Sequence, residues 1–235
     1  MIKESTRKDE KRVDPRVKRT RELIVRAFNE LVAEKGHTGL TVQEIAERAT
    51  INRATFYAHF TDQYELFDYI ISEAFREELR RRLPESPGSS EENLKALVLA
   101  ACDYLAGLNT ACSRTDRQFR PLIEARVQGE LYDLLLGWIE ASPEKASDRK
   151  VGPEVMASVV SWAIFGAALD WSRNGAAPSS EEKASDRQVS QEVTASVVSW
   201  SIFGAALDWS RNGAAPSSDE VADQVLSVFV EGLQF

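Results

Sequence analysis

Histidine and cysteine are scarce in this 235-residue chain, with two of each. Cys102 and Cys112 lie ten apart without a neighbouring histidine. They are too few for a disulfide framework and wrongly spaced for a zinc site. His37 and His59 leave little for general base catalysis, and no phosphate loop, nucleophile elbow or metal-ligand spacing accompanies them. Isolated carboxylates such as Glu124 and Asp170 are generic. The expectation is a non-enzyme with no metal and no cofactor. Long apolar runs are missing as well. The most hydrophobic stretch, residues 157–169, is interrupted by serine and glycine and falls short of the roughly 18 residues that a spanning helix needs. The opening MIKESTRKDEKRVDPR is charged and has no apolar core, unlike a signal peptide. A soluble, cytoplasmic protein with no membrane partner is expected. Alternation of period two, the mark of half-buried strands, is absent too, so the expected fold class is all-α.

The charge that is present is unevenly placed. The net charge of −8 divides into +4 over residues 1–60 (13 basic, nine acidic) and −12 over residues 61–235 (16 basic, 28 acidic). Local positive charge is what phosphates respond to, so an acidic whole does not argue against nucleic acid. It argues that one end alone meets it. Residues 1–14 read as a basic arm, residues 15–61 as a DNA-binding domain and residues 62–235 as a helical C-terminal domain.

Capping and periodicity place the helices. Asp14-Pro15 opens the first, with apolar residues at Val17, Ile24, Ala27, Phe28, Leu31 and Val32, and Gly36 stops it. Thr41-Val-Gln-Glu44 is a capping box for a short helix reaching about Ala49. Thr50-Ile51-Asn52 makes a turn, and Asn52 caps a third helix over residues 53–59. A fourth runs from about residue 62 to 82, with Tyr64, Leu66, Phe67, Ile70, Ile71, Ala74 and Phe75 available for packing. Residues 83–90, LPESPGSS, break the pattern and mark a candidate junction. Further helices are expected over residues 91–108 and 116–139.

Residues 41–60, TVQEIAERATINRATFYAHF, thus read as helix, short turn, helix. Ile45, Ala46, Ala49, Ile51 and Phe56 are spaced to pack the pair together. Arg53, Ala54, Thr55, Tyr57 and His59 are left outward. The second helix of such a unit enters the major groove by its N-terminal side chains. Arg53 can meet guanine or phosphate and Thr55 a base edge, while Tyr57 and His59 suit phosphate oxygens.

These residues resemble a known family. INRATFY and HFTDQYEL, with Thr20, Ala27-Phe28 and Lys35-Gly36 in the preceding helix, are similar to the DNA-binding domain of the tetracycline-repressor (TetR/AcrR) family over about residues 15–70. The resemblance implies an all-α homodimer on a palindromic operator in double-stranded DNA, with a C-terminal domain for dimerisation and a small-molecule effector. It implies a ligand-responsive repressor. It puts Thr41 and Gln43 on the DNA backbone, Arg53, Ala54 and Thr55 at bases, and Tyr57 and His59 on phosphates. Gln63 stands where the family commonly has a phosphate-contacting lysine. That departure, with the enlarged C-terminal domain, keeps a second reading open, a helical interaction protein whose DNA-binding domain is weakened. An effector pocket is expected among residues 91–140, with Tyr104, Phe119, Leu122, Arg126 and Tyr132 as candidate lining residues.

The C-terminal domain contains a near-verbatim repeat. Residues 144–182 recur as residues 182–220, identical at 33 of 39 positions. Two nearly identical copies read as a tandem duplication rather than a solenoid. Each copy holds one long apolar helix, the first over about residues 153–174. Gly152-Pro153 forces that start, whereas Ser190-Gln191 in the second copy permits one helix from about residue 180 to 212. A last helix is expected over residues 218–233. The expected dimer uses residues 180–233, with the first copy an added element alongside. The four tryptophans of the two copies, Trp162, Trp171, Trp200 and Trp209, are expected to serve packing rather than form an aromatic ligand cage.

Overall fold

A computed structural model describes residues 14–36, 39–85, 87–111, 119–141, 151–174, 186–211 and 217–231. Among these the regular elements are α1 (Pro15–Lys35), α2 (Val42–Arg48), α3 (Arg53–Tyr57), α4 (Gln63–Arg82), α5 (Glu91–Ala111), α6 (Arg120–Glu140), α7 (Pro153–Asn174), α8 (Asp186–Arg211) and α9 (Ser218–Glu231). No strand occurs among the described residues. The all-α expectation holds, and the basic arm over residues 1–13 lies outside the described residues.

The chain divides into two compact units, Met1–Ile70 and Ile71–Phe235. The division falls inside α4, not at residue 61 or at the breaker cluster. Packing explains the shift. Leu66 and Phe67 of α4 are buried in the first unit, and the Phe67 ring lies 6.2 Å from that of Phe28 on α1. The first half of α4 therefore completes the N-terminal core before the helix leaves it.

In the first unit α1 buries Ile24, Ala27, Phe28 and Leu31, while Val17 and Tyr64, both read as packing residues, are exposed. Ile45 of α2, Phe56 of α3, and Phe60 complete the core. Gly36 ends α1 at φ 76°, a left-handed conformation that side chains resist, with its N–H donating to the Val32 carbonyl at 2.8 Å. The Arg48 guanidinium forks onto both carboxylate oxygens of Glu34 at 2.8 and 2.7 Å and fixes α2 on α1.

In the second unit α7 is the central helix. Its apolar side chains surround the axis, and Ala157, Val159, Val160, Ile164, Phe165, Ala168 and Leu169 are all buried. It packs on α5 and α6 on one side, with α8 and α9 also against it. By length and composition alone α7 could cross a membrane, but 72% of that window is buried within the protein, as in a core helix. The helix starts at Pro153, as Gly152-Pro153 requires, and α8 runs through the matching Ser190 and Gln191. Where α8 was expected to begin, near residue 180, lies outside the described residues. The first copy, expected as an added element alongside, instead packs against α5 and α6 as well as α8 and α9, whereas the second copy packs on α7 and α9.

One buried charge ties α4 to α6. Glu130 is 6% exposed and accepts from Arg76 Nε at 2.7 Å, Arg76 Nη2 at 3.0 Å and Arg126 Nη2 at 2.8 Å. Removing one donor leaves a buried carboxylate short of hydrogen bonds. Arg76→Met is expected to cost about 2 kcal/mol in urea unfolding of the chain, and Arg80→Met, on the solvent side of the same helix, much less.

Candidate nucleic-acid interface

The helix-turn-helix is built by local hydrogen bonds that the sequence spells out. Thr41 Oγ1 accepts from the Glu44 N–H at 3.2 Å, and Glu44 Oε2 accepts from the Thr41 N–H at 2.9 Å, closing the capping box of α2. Lys35 reaches from the end of α1 to the other Glu44 oxygen. These contacts, the Lys35 ammonium first and the Thr41 donors next, hold the Glu44 carboxyl down at about 2.

At its far end α2 closes in a Schellman turn. The Ile51 N–H donates to the Ala46 carbonyl at 3.0 Å, and the Thr50 N–H to the Glu47 carbonyl at 3.1 Å. This geometry needs a left-handed residue, and Thr50 takes it at φ 58°. Glycine is the usual occupant, since a β-branched side chain is strained there. The next residue but one reverses direction. Asn52 is extended, and its Oδ1 accepts from the Thr55 N–H at 2.7 Å to start α3.

These bonds sort the residues named from sequence. Thr41 and Asn52 are engaged as helix caps. Thr55 is half-buried and donates its hydroxyl to Asn52 at 3.0 Å, which leaves its oxygen lone pairs and methyl to face outward chemistry. Gln43 is exposed and bonded to Glu47 at 2.9 Å. Arg53 and Ala54 are exposed in the first turn of α3, and Tyr57 is exposed at its end with its ring edge-on to buried Phe56, 5.7 Å between centroids. Gln63 is half-buried at the start of α4, where Asp62 Oδ1 accepts from the N–H groups of Tyr64 and Glu65, both at 2.8 Å. Thr41, Gln43, Arg53, Ala54, Tyr57 and Gln63 thus sit at or beside the starts and ends of α2, α3 and α4.

His59 is half-buried, and burial first, then the Arg21 charge, hold its pKa below the ordinary histidine value. That direction favours the neutral imidazole, which still carries one N–H donor. Arg21 was not legible as a site residue. Its guanidinium lies over the rings of Phe60 and Tyr69, 5.7 and 5.4 Å from their centroids, and so braces α1 against the end of the motif. Lys35, Arg26 and Arg48 are engaged with Glu44, Glu30 and Glu34. Arg16, Lys18, Arg19 and Arg53 are exposed and form no ion pair among the described residues. They are positive charges that no carboxylate among the described residues engages.

The expected effector residues have different settings. Tyr104 packs edge-on to Phe75 at 5.2 Å, Leu122 is exposed, Phe119 stands just before α6 without a side-chain capping bond, and Arg126 is engaged with Glu130 and Ser72. Tyr132 lines a cavity of about 610 Å³, with Glu154, Ser158, Asp208, Trp209 and Gln224. Burial, then the charges of Glu154 and Asp208, push the Tyr132 hydroxyl pKa up. Cys102 is a half-buried free thiol, and Cys112 and His37 lie outside the described residues. Among the described residues no three His, Cys, Asp or Glu side chains form a candidate metal site.

Comparison with known proteins bears on the first unit. Residues 24–70 match the family of bacterial regulatory proteins described as the tetR family. An uncharacterized HTH-type transcriptional regulator, YxbF, of Bacillus subtilis (strain 168) is 37% identical over 104 residues, 44% of this chain and 27% of its own length. The HTH-type dhaKLM operon transcriptional activator DhaS of Lactococcus lactis is 34% identical over 58 residues, 25% of this chain and 31% of its own. The chain thus spans under a third of the length of these curated relatives. Among solved structures, the fatty acid degradation regulator FadR from Bacillus halodurans aligns over 80% of this chain and 95% of its own, at 18% identity and a TM-score of 0.42.

Two measurements probe the local construction. Thr50→Gly relieves the left-handed strain and is expected to raise the unit's stability by about 0.5–1 kcal/mol in thermal or urea unfolding. Glu44 has a folded pKa below its ordinary 4.5, so the stability it contributes is complete above that value and is lost as pH falls toward about 2. In acid unfolding, Glu44→Gln should flatten that part of the profile, and an unchanged profile would refute the capping assignment.

Proposed function

We propose, from the match of residues 24–70 to the tetR family of bacterial regulatory proteins, that the whole chain is a cytoplasmic DNA-binding transcriptional regulator, a ligand-responsive repressor that binds a palindromic operator as a homodimer. The observation that carries this reading is the motif itself. A capped α2, a Schellman turn and a capped α3 leave Arg53 and Tyr57 exposed on a helix whose backbone is fixed on its buried side by Phe56. Direct readout needs that rigidity, since a base contact is useful only at a fixed position. Arg53 reads a base or holds a phosphate, Thr55 presents its methyl and lone pairs, and Tyr57, His59 and Gln43 hold the DNA backbone. Gln63 donates a hydrogen bond without charge.

The dimer contact we infer lies on residues 180–233, where Ile202 and Phe203 of α8 and Leu226 of α9 are large apolar side chains left exposed. The effector seat we infer is the cavity at Tyr132. Its volume suits a small molecule, and the carboxylates of Glu154 and Asp208 favour one that carries a cation or several hydrogen-bond donors.

The test is binding to promoter DNA upstream of the chain's own gene, followed by fluorescence anisotropy across a salt series. Affinity should fall steeply with salt. Arg53→Ala and Tyr57→Ala should each weaken it about tenfold or more with helix content unchanged. Gln63→Lys should strengthen binding and steepen the salt slope by about one phosphate contact. A chain with no salt-dependent DNA affinity is instead a helical interaction protein.

A further inference from the structure

The contact between α7 and α8 has a symmetry that the sequence repeat alone does not require. At the 38-residue period, Trp200 is the counterpart of Trp162, Ser196 of Ser158, Asp208 of Asp170 and Gly204 of Gly166. The structure pairs them crosswise. Ser158 Oγ donates to Asp208 at 2.7 Å, and Ser196 Oγ donates to Asp170 at 2.6 Å. Trp162 Nε1 donates to the same Asp208 oxygen at 3.3 Å, and Trp200 Nε1 to that of Asp170 at 3.2 Å. The two indoles stack with centroids 6.1 Å apart and planes 4° from parallel. Each also meets the other copy's phenylalanine edge-on, Trp162 to Phe203 at 5.9 Å and Trp200 to Phe165 at 6.1 Å. A Cβ at Gly166 would overlap the Trp200 side chain, and one at Gly204 would overlap that of Trp162.

Exchanging the two copies maps this set of contacts onto itself. That is the property of an isologous interface, in which one patch is its own complement. A patch complementary to its own copy does not depend on the copy being in the same chain. Serine, tryptophan, glycine and aspartate are identical at these positions in both repeats, so two α7 helices from two chains could make every one of the contacts just described.

We propose that α7 and α8 form a two-fold homodimer interface closed inside one chain: the second repeat occupies the surface through which a chain with one repeat would pair with a second copy of itself. The remaining faces agree. Ile164 and Phe165 of α7, a helix also packed on α5 and α6, are 7% and 3% exposed, whereas their counterparts Ile202 and Phe203 are 52% and 53% exposed. The second copy brought the interface helix and not the helices that stand behind it. Contact between full chains must then use another face, and the uncovered side of α8 with α9 is the apolar one.

The test reads oligomeric state, so it can fail or succeed independently of DNA binding. Deleting residues 183–220 removes one period and leaves Glu182 before Val221, as Glu220 is now. In sedimentation equilibrium this single-repeat chain should be a dimer, and Gly166→Leu within it should weaken the dimer about tenfold or more while helix content persists. A monomer, or a dimer indifferent to Gly166→Leu, overturns the proposal. The full chain gives a second readout that does not depend on the deletion folding. With Cys102→Ser and Cys112→Ser, the pair Ser158→Cys and Asp208→Cys should oxidise to a link within one chain. A link between chains, or none, overturns the proposal as well.

Discussion

Two indoles lying in the space that two glycines leave open hold the outer layer of the C-terminal unit in place. The Trp162 and Trp200 rings can stack only because Gly166 and Gly204 present bare backbone to them. That close approach brings each indole N–H within reach of an aspartate on the other helix. The aspartates are in turn satisfied by serines, so the polar atoms inside an otherwise apolar seam are paired. Removing one element of this set leaves another unsatisfied or unsupported. The position of α8, the walls of the cavity at Tyr132, and the exposure of Ile202 and Phe203 all follow from it.

The N-terminal unit depends on shorter-range physics. Its two turns are made almost wholly by residues within five positions of one another, through caps, a Schellman closure and one strained threonine. Longer reach is supplied by few groups, with Arg48 on Glu34 and Arg21 over Phe60 and Tyr69 the most specific. The division of polar side chains follows. Thr41, Asn52, Glu44 and Arg48 are engaged in building the motif, while Arg53 and Tyr57 stay exposed. A polar residue in such a motif is informative in proportion to what remains of its hydrogen-bonding capacity after the backbone has been served.

The sequence could be read well where the determinants are local. The capping box at Thr41, the cap at Asn52, the start of α7 at Pro153 and the period-38 repeat all rest on near neighbours or on identity, and each is a matter of spacing. It was read poorly where a choice among distant partners decides. The boundary between the units falls in α4 rather than before it, because Leu66 and Phe67 meet α1. Arg21 stands in an ordinary charged stretch, and nothing at its own position signals two aromatic rings from further along the chain. Of the candidate effector residues, Tyr132 lines the cavity of about 610 Å³, while Arg126 and Tyr104 are engaged with groups on α4 and α6.

The two repeats give the sharpest division. By itself the sequence determined that this chain carries a capped helix-turn-helix and two copies of one apolar helix, because capping and periodicity act within a few residues and survive any packing. It could not determine which copy is seated on α5 and α6. Phe165 and Phe203 stand in the same local sequence, yet one is buried and the other exposed. Only the tertiary structure decided between them, because burial belongs to the surface a helix meets and not to the residues it carries.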